Sequence, residues 1–452
     1  MTGSGEDAVY PVRWQTTVEG RSLHVMVRRQ AINLLLDNDS PSFTFDPAGR
    51  LHGAFVERRN YRRSLDNRML AKWSEQDGTR STRRRRWLSA DEARAVVDLA
   101  YQMAARAAGL AGDAPAAIRS ALEAVTGWTW PRLVADRRWF ERIYTPVGIL
   151  PPDQYLALVL QATHGCSHNA CTFCTFYQDI PFRIKSPDEF RSHVAGVLDF
   201  FGPALAMRRS IFLADANALV VPMPRLLALL DVLADGVEKE MRETGKPGAT
   251  ATISGSSPDV LNVTSDTALG HLPPVTRNLQ PATRNLPLFA FIDAFHVERK
   301  SVADWQELRG RGLQRVYIGM ESGHDPLLRW LNKPGNAVDV LDAVQTLKTA
   351  GVAVSVIVMS GVGGAAFADA HVRDSVALLN AMPLGWGDLI YISEFRQQPG
   401  SDYVRMAAQN DVRALAPDEL HAQTRMLRNE YRAPDPNQPP QFSAYNIDEF
   451  IY

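Results

Sequence analysis

The chain has 452 residues, 45% of them hydrophobic and 22% charged, with 49 Lys+Arg against 50 Asp+Glu. Such a composition excludes a disordered or fibrous chain, and the length allows a large core and two domains. No apolar run approaches the ~18–20 residues of a membrane helix, and no basic-then-apolar leader stands in the first twenty residues.

Residues 1–145 lack the pattern of the remainder and are expected to form an accessory α+β region. Residues 41–56 read as two strands joined by the turn Asp46-Pro-Ala-Gly49, and 90–108 as a helix. Residues 1–150 hold 23 Lys+Arg against 17 Asp+Glu, with the excess concentrated in Arg58, Arg59, Arg62, Arg63 and Arg83 to Arg86. A cluster of this kind can bind phosphates, which makes an RNA partner conceivable. No recognisable RNA-binding motif accompanies it, so a solvated basic loop, or arginines paired with acidic groups elsewhere, is the favoured reading.

A β-branched, apolar run over 155–163 leads into Cys166-Ser-His-Asn-Ala-Cys171-Thr-Phe-Cys174, which contains all three cysteines of the chain. Three thiolates on a loop can hold three irons of a four-iron, four-sulfur cube, and no fourth cysteine closes the last iron. A site with one open position follows the logic of a catalytic metal. Zinc is the competing reading, with His164 or His168 completing a Cys₃His set. Zinc ligands usually come as paired knuckles on a small ribbon, whereas here they share one loop inside a long α/β pattern. A redox dithiol of Cys171 and Cys174 lacks its usual βαβ setting, and an odd, tightly spaced set does not suit disulfides.

Strand-like and helix-like segments then alternate. Residues 210–214 read as a strand followed by Asp215 and Asn217, and an apolar helix follows near 223–233. Residues 235–287 read as an insertion, in which Thr276-Arg-Asn-Leu279 recurs as Thr283-Arg-Asn-Leu286. Further strands are expected at 288–293, at 315–320 ending in Glu321-Ser-Gly323, at 352–359 ending in Gly361-Val-Gly-Gly364, and at 388–393. Helices are expected at 325–331 and 337–350. Residues 406–452 read as a C-terminal helix and a proline-rich, aromatic tail that is either free or a lid. Short hydrophobic strands separated by helices indicate a parallel α/β sheet of about six units. Polar residues and glycines fall just after the strands, where the sites of (β/α) barrels lie.

The spacing Cys-x₄-Cys-x₂-Cys, with Phe173 before the last cysteine, resembles the cluster motif of the radical SAM superfamily. It carries one more residue in the first gap than the commonest form. The resemblance covers about residues 150–405, and the run Glu394-Phe-Arg-Gln-Gln-Pro-Gly-Ser-Asp402 is similar to a strand-loop in the branch that includes oxygen-independent coproporphyrinogen oxidase. It implies a partial (β/α)₆ TIM-like barrel over 146–405, with Cys166, Cys171 and Cys174 holding a [4Fe–4S] cluster. S-adenosyl-L-methionine would chelate the open iron, and an electron from flavodoxin or ferredoxin would cleave it to a 5′-deoxyadenosyl radical that abstracts hydrogen from a substrate.

The same resemblance assigns expectations to single residues. Phe173 packs near the adenine or simply beside the cluster. Asp215 and Asn217 replace the family's Gly-Gly-Glu-type motif and accept hydrogen bonds from the methionine amino group, or Asp215 caps the next helix. Glu321 contacts the ribose or joins a structural ion pair. Lys333, or Arg329, meets the methionine carboxylate or is a surface cation. Gly361, Gly363 and Gly364 let backbone approach the adenine, although an alanine stands where the family's fifth-strand motif ends in Glu. Asp293, Glu394 and Arg396 contact substrate or form surface salt bridges.

With no cysteine outside the loop, auxiliary clusters, methyl-carrying cysteines and thiyl donors are excluded. What remains is one-cluster chemistry: rearrangement, elimination, decarboxylation or oxidation after hydrogen abstraction. The alternatives are a zinc-stabilised nucleic-acid-binding α/β protein and a degenerate homologue that binds the cluster without turnover. Free thiols and an oxygen-sensitive cluster require a reducing compartment, so a cytoplasmic protein without membrane contact is expected.

Overall fold

The computed structural model describes residues 10–37, 40–77, 80–243 and 286–452. The described residues divide into two units: those within 10–146, 196–209 and 451–452 in the first, and those within 147–195, 210–243 and 286–450 in the second.

The first unit is built on an eight-stranded antiparallel meander whose strands lie in sequence order. They are β1 (Val12–Val18), β2 (Arg21–Val27), β3 (Ile32–Leu36), β4 (Ser42–Phe45), β5 (Leu51–Val56), β6 (Arg59–Arg63), β7 (Met69–Asp77) and β8 (Arg80–Trp87). Three helices follow, α1 (Ala90–Leu110), α2 (Ala116–Thr126) and α3 (Trp130–Ile143). Along β2, Leu23, Val25 and Val27 are buried while His24 is exposed, the alternation of a sheet with one face on the core. Small residues of α1, Ala93, Ala100, Ala104 and Ala107, let that helix sit close on Leu23, Leu34 and Phe43 of this face. Ser89 and Glu92 start α1 with a reciprocal capping box.

The two strands expected over 41–56 are β4 and β5, joined by the expected turn. The expected basic loop at Arg83–Arg86 is instead part of β8, paired to β7 from Leu70↔Trp87 to Asp77↔Arg80. Polar, arginine-rich strands show little hydrophobic alternation, so their pairing is set by the neighbouring strand and not by local pattern.

In the second unit β9 (Ala157–Gln161) is followed by the short strands β10 (Thr163–His164) and β11 (Arg183–Ile184), then α4 (Pro187–Phe201), whose residues from 196 on count with the first unit, β12 (Ser210–Ala214) and α5 (Met223–Glu243). After these come β13 (Leu288–Phe291), α6 (Val302–Gly310), β14 (Leu313–Glu321), α7 (Asp325–Trp330), α8 (Ala337–Thr349), β15 (Ala353–Ser360), α9 (Gly364–Ala381) and β16 (Leu389–Glu394). The chain ends with α10 (Asp402–Gln409), α11 (Pro417–Asn429) and β17 (Gln441–Ala444). Strands β9, β12, β13, β14, β15, β16 and β17 form one parallel sheet in that order. This is the partial TIM-like barrel, with one strand more than expected. The seventh comes from the segment read as a tail, where Gln441–Ala444 adds to the edge of β16.

Burial accounts for the apolar strands. Every residue of β9 and β12 is buried, as a parallel sheet covered on both faces requires. At the amino ends of the strands, the Asp153 carboxylate accepts from Tyr317 Oη at 2.6 Å, Arg315 Nη1 at 3.1 Å and Tyr391 Oη at 2.9 Å. Helix α5 runs ten residues past its expected end at 233, so the expected insertion begins inside a helix. Its repeated Thr-Arg-Asn-Leu lies outside the described residues. Among those described, no helix is long and apolar enough to cross a membrane.

Candidate metal and cofactor site

The cysteine loop leaves the carboxyl end of β9 and is held on two sides. At its start, Gly165 adopts φ +70°, and a Cβ there would run into the backbone carbonyl of Ile180. Only glycine fits both demands. Asp215, just past β12, holds the same point: its Oδ2 accepts from Gly165 N at 3.3 Å and its Oδ1 from Gln161 Nε2 at 3.0 Å. On the far side, Thr172 N and Oγ1 both donate to Leu331 O, at 2.9 and 3.1 Å. Asn332 Nδ2 donates to Ala170 O at 2.8 Å, and Tyr403 N to Thr172 O at 2.9 Å. The residues just past α7 and the start of α10 therefore grip the loop on either side of its second cysteine.

All three cysteines are free and half-buried. Burial raises their thiol pKa values, that of Cys171 to about 12 and that of Cys174 to about 11. Cys166 is raised as well, against a 3.4 Å hydrogen bond from Asn169 N. These are not activated nucleophiles, which need lowered pKa values; the redox-dithiol reading has no support here. Desolvated thiols of this kind become thiolates when a metal replaces their protons.

A closed Cys₃His zinc site is not assembled. Bonds of ~2.3 Å to one zinc would bring its sulfurs within about 3.8 Å of each other. Among the described residues no three or more His, Cys, Asp or Glu side chains gather around one point. The His168 ring is hydrogen-bonded to Asn332 O at 2.8 Å. A donor set of three thiols spread along one loop suits a multi-iron cluster, which takes each thiolate at a different iron.

Beside the thiols lies a polar chain that is buried at Asn217, His296 and Glu321 and partly buried at Asp293 and Lys333. Asn217 is fully buried, and its Nδ2 lies 2.9 Å from Ser167 Oγ, 2.8 Å from Asp293 Oδ2 and 3.1 Å from His296 Nδ1. Asp293 Oδ1 is 3.6 Å from Lys333 Nζ, and Lys333 Nζ is 3.5 Å from Glu321 Oε1. Glu321 takes a left-handed φ of +60° where the β14–β15 register shifts between Gly319 and Glu321. A bulge of this kind re-aims a side chain at a strand end. A Cβ on Gly319 would collide with the Glu321 carboxylate and come within 3.3 Å of Lys333 Nζ, so the missing side chain makes room for the pair.

Burial opposes the Lys333 charge, but Glu321, Asp293 and the Cys171 and Cys166 thiols together outweigh it and raise its pKa. Burial also raises the Glu321 carboxyl, against the pull of Lys333. Burial pushes Asp215 up to about 6, against its hydrogen bonds from Gln161 and Gly165.

The structure brings Cys166, Cys171, Cys174, Asn217, Asp293, Glu321 and Lys333 into this neighbourhood. Asp215 is present but fully engaged with the loop base, and it caps no helix. Phe173 packs on an apolar cluster that includes Leu327, Leu331, Val362 and Tyr403. The Gly361 and Gly363 N–H groups donate to Gln423 Oε1 at 2.6 Å and Tyr403 Oη at 3.0 Å. Their φ values of +84° and +79°, and the side chains a Cβ would meet, account for both glycines without a ligand. Arg329 is exposed. Arg396 pairs with Glu394 at 3.2 Å and Asp448 at 3.7 Å as surface salt bridges. Sequence reading missed Gly165, Gly319, Thr172 and Asn332. A polar Gln161 closing an apolar strand, and a lone glycine inside β14, were the available signals.

No family model and no curated protein matches the sequence. Solved structures similar to it include the cobalamin-dependent S-adenosylmethionine radical enzyme OxsB, at 14% identity and TM-score 0.33, over 60% of this chain and 31% of that one. Elp3 from the archaeon Methanocaldococcus infernus is similar at 10% identity and TM-score 0.37, over 63% of this chain and 56% of that one. Coproporphyrinogen III oxidase from Escherichia coli, a radical SAM enzyme, is similar at 12% identity and TM-score 0.37, over 61% and 52%. The chain thus spans from about a third to somewhat over half of the length of these proteins.

Proposed function

We propose that the chain is a radical SAM enzyme in which Cys166, Cys171 and Cys174 hold a [4Fe–4S] cluster, with S-adenosyl-L-methionine at the iron no cysteine takes. One observation carries the reading: the chain's only three thiols share a single loop at the carboxyl ends of a parallel sheet, beside the Lys333–Glu321–Asp293 chain, whose side chains are largely shielded from water. When bound, the cluster and S-adenosyl-L-methionine supply a reductively generated 5′-deoxyadenosyl radical that abstracts hydrogen from a substrate.

The chain's own residues bind, orient and exclude water. Lys333 offsets negative charge on the loop thiolates. Glu321 and Asp293 offer acceptors to the hydroxyl or ammonium groups of the cosubstrate. Asn217 fixes Ser167, next to the first ligand, to Asp293. Asp215 fixes the start of the loop. Phe173, packed with Leu327, Leu331 and Val362, supplies an apolar wall beside the cysteine loop that keeps water from a reactive site. A small flavodoxin or ferredoxin is the proposed electron donor. The substrate is assigned no further than a molecule with an abstractable hydrogen.

Anaerobic reconstitution with iron and sulfide, then dithionite and S-adenosyl-L-methionine, tests the reading through release of 5′-deoxyadenosine. A variant with Cys166, Cys171 and Cys174 all changed to Ala runs beside it. Cleavage by the wild type alone is expected. Failure to take up iron would overturn the proposal, and a cluster that binds the cosubstrate without cleaving it would favour the non-catalytic homologue.

A further inference from the structure

Helix α7 is six residues long and carries no side-chain cap, and so short a helix has little stability of its own. The residues that follow it nevertheless hold the cysteine loop. Leu331 O takes two hydrogen bonds from Thr172, Asn332 Nδ2 reaches Ala170 O, and Lys333 Nζ lies beside Glu321 and Asp293. Leu327 and Leu331 bury this segment in an apolar cluster with Val362 and Tyr403. Apolar burial is non-directional: it keeps the helix in place without fixing its rotation or its slide along the axis. The directional bonds come from α9. Asp374 Oδ2 accepts from His324 Nδ1 at 2.6 Å, and Ser375 Oγ accepts from Gly323 N at 2.8 Å. Ser322 Oγ accepts from His324 N at 3.0 Å and lies 2.8 Å from Nδ1 of the fully buried His371. A Cβ on Gly323 would overlap the backbone of Asp374 and Ser375, so the turn before α7 is pressed directly against α9. Among the described residues, His371, Asp374 and Ser375 make no bond to a cysteine, to Asp293, to Glu321 or to Lys333.

We infer that His324 and Asp374 are positioning residues for the metal and cofactor site. They latch α7 to α9, and through α7 they set two things: the cysteine loop, by way of Leu331 and Asn332, and the carboxylates beside it, by way of Lys333. The imidazole–carboxylate bond is the charge-assisted member of the latch, and such bonds are about twice as strong as neutral ones. The effect on cosubstrate binding rests on the radical SAM reading; the effect on the cysteine loop does not.

Hydrogen exchange of residues 171–174 in the metal-free full chain, read by mass spectrometry, tests the latch without any cofactor. The variants are compared at urea concentrations that equalise their global stability, so that only local opening differs. His324→Leu should speed exchange of this segment about tenfold or more. Asp374→Ala removes the acceptor from the other side and should match it, which keeps the test open if one of the two does not fold. His324→Asn keeps an N–H donor near the place of Nδ1 and should stay within about threefold of wild type. Val376→Ala truncates a buried apolar side chain of α9 and should do the same. Unchanged exchange in His324→Leu and Asp374→Ala, or equal acceleration in Val376→Ala or His324→Asn, would overturn the inference. In the reconstituted protein, His324→Leu should lower kcat/KM for S-adenosyl-L-methionine about tenfold, chiefly through KM, as displaced binding groups do. An unchanged KM would overturn the reach of the latch to Lys333. A wild type that takes up no cluster and cleaves nothing would overturn the radical SAM reading and leave the exchange result standing.

Discussion

Asp215 Oδ2 accepts the backbone N–H of Gly165, fifty residues earlier, at 3.3 Å. A carboxylate at the end of one strand thus sets the first step of the loop that leaves its neighbour. Removing it as Asp215→Ala leaves that N–H and the Gln161 amide without their acceptor. The expected cost is about 1–3 kcal/mol, with reduced iron uptake. A lowered denaturation midpoint with fewer irons per chain would bear this out, and unchanged iron content would count against it.

The same carboxyl makes stability depend on pH. Its folded pKa of about 6 lies above the ordinary aspartate value near 3.9, because burial disfavours the charge. Its contribution is therefore full below about pH 4 and is lost as pH rises through 6, on the order of 3 kcal/mol. In the metal-free protein, Asp215→Asn should flatten the stability profile between pH 4 and 6. Urea unfolding at a series of pH values measures it.

Lys333→Met strands Glu321 and Asp293 beside the thiols. Breaking a buried ion pair costs about 3–5 kcal/mol. Changing Glu321→Gln at the same time removes one stranded carboxylate and should recover part of the loss. A double-mutant cycle by chemical denaturation, with a coupling energy above about 1 kcal/mol, is the expected outcome.

Gly319→Ala places a methyl group against the Glu321 carboxylate and Lys333 Nζ. Displacement of that pair by even ~1 Å should lower 5′-deoxyadenosine formation tenfold or more. Iron content should fall far less than activity, since the three thiols and the hydrogen bonds that hold their loop are untouched. A variant as active as wild type would show that the Glu321 position is not critical.

Thiol reactivity gives a test free of metal. With burial raising Cys171 to about 12 and Cys174 to about 11, the thiolate fraction at pH 8 is far below that of an ordinary thiol, whose pKa is about 8.5. Alkylation of the metal-free protein by iodoacetamide, followed by mass spectrometry, should be slow at both positions. Fast labelling would point back to an activated dithiol.

The sequence by itself determined the cysteine loop, the parallel strands β9, β12, β13, β14, β15 and β16 and the polar residues at their ends. Each of these is local: a spacing of three thiols, a run such as Val352–Met359, a glycine after a helix. Tertiary structure decided the rest. That Lys333 meets both Asp293 and Glu321, and that Asp215 serves the loop rather than a helix, depends on which strand ends are neighbours. Strand β17 was hidden because four residues after a proline-rich stretch become a strand only when the edge of β16 offers them partners. Strands β7 and β8 were hidden because arginine and glutamine carry no burial signal, so their register comes from the chain beside them and not from their own pattern.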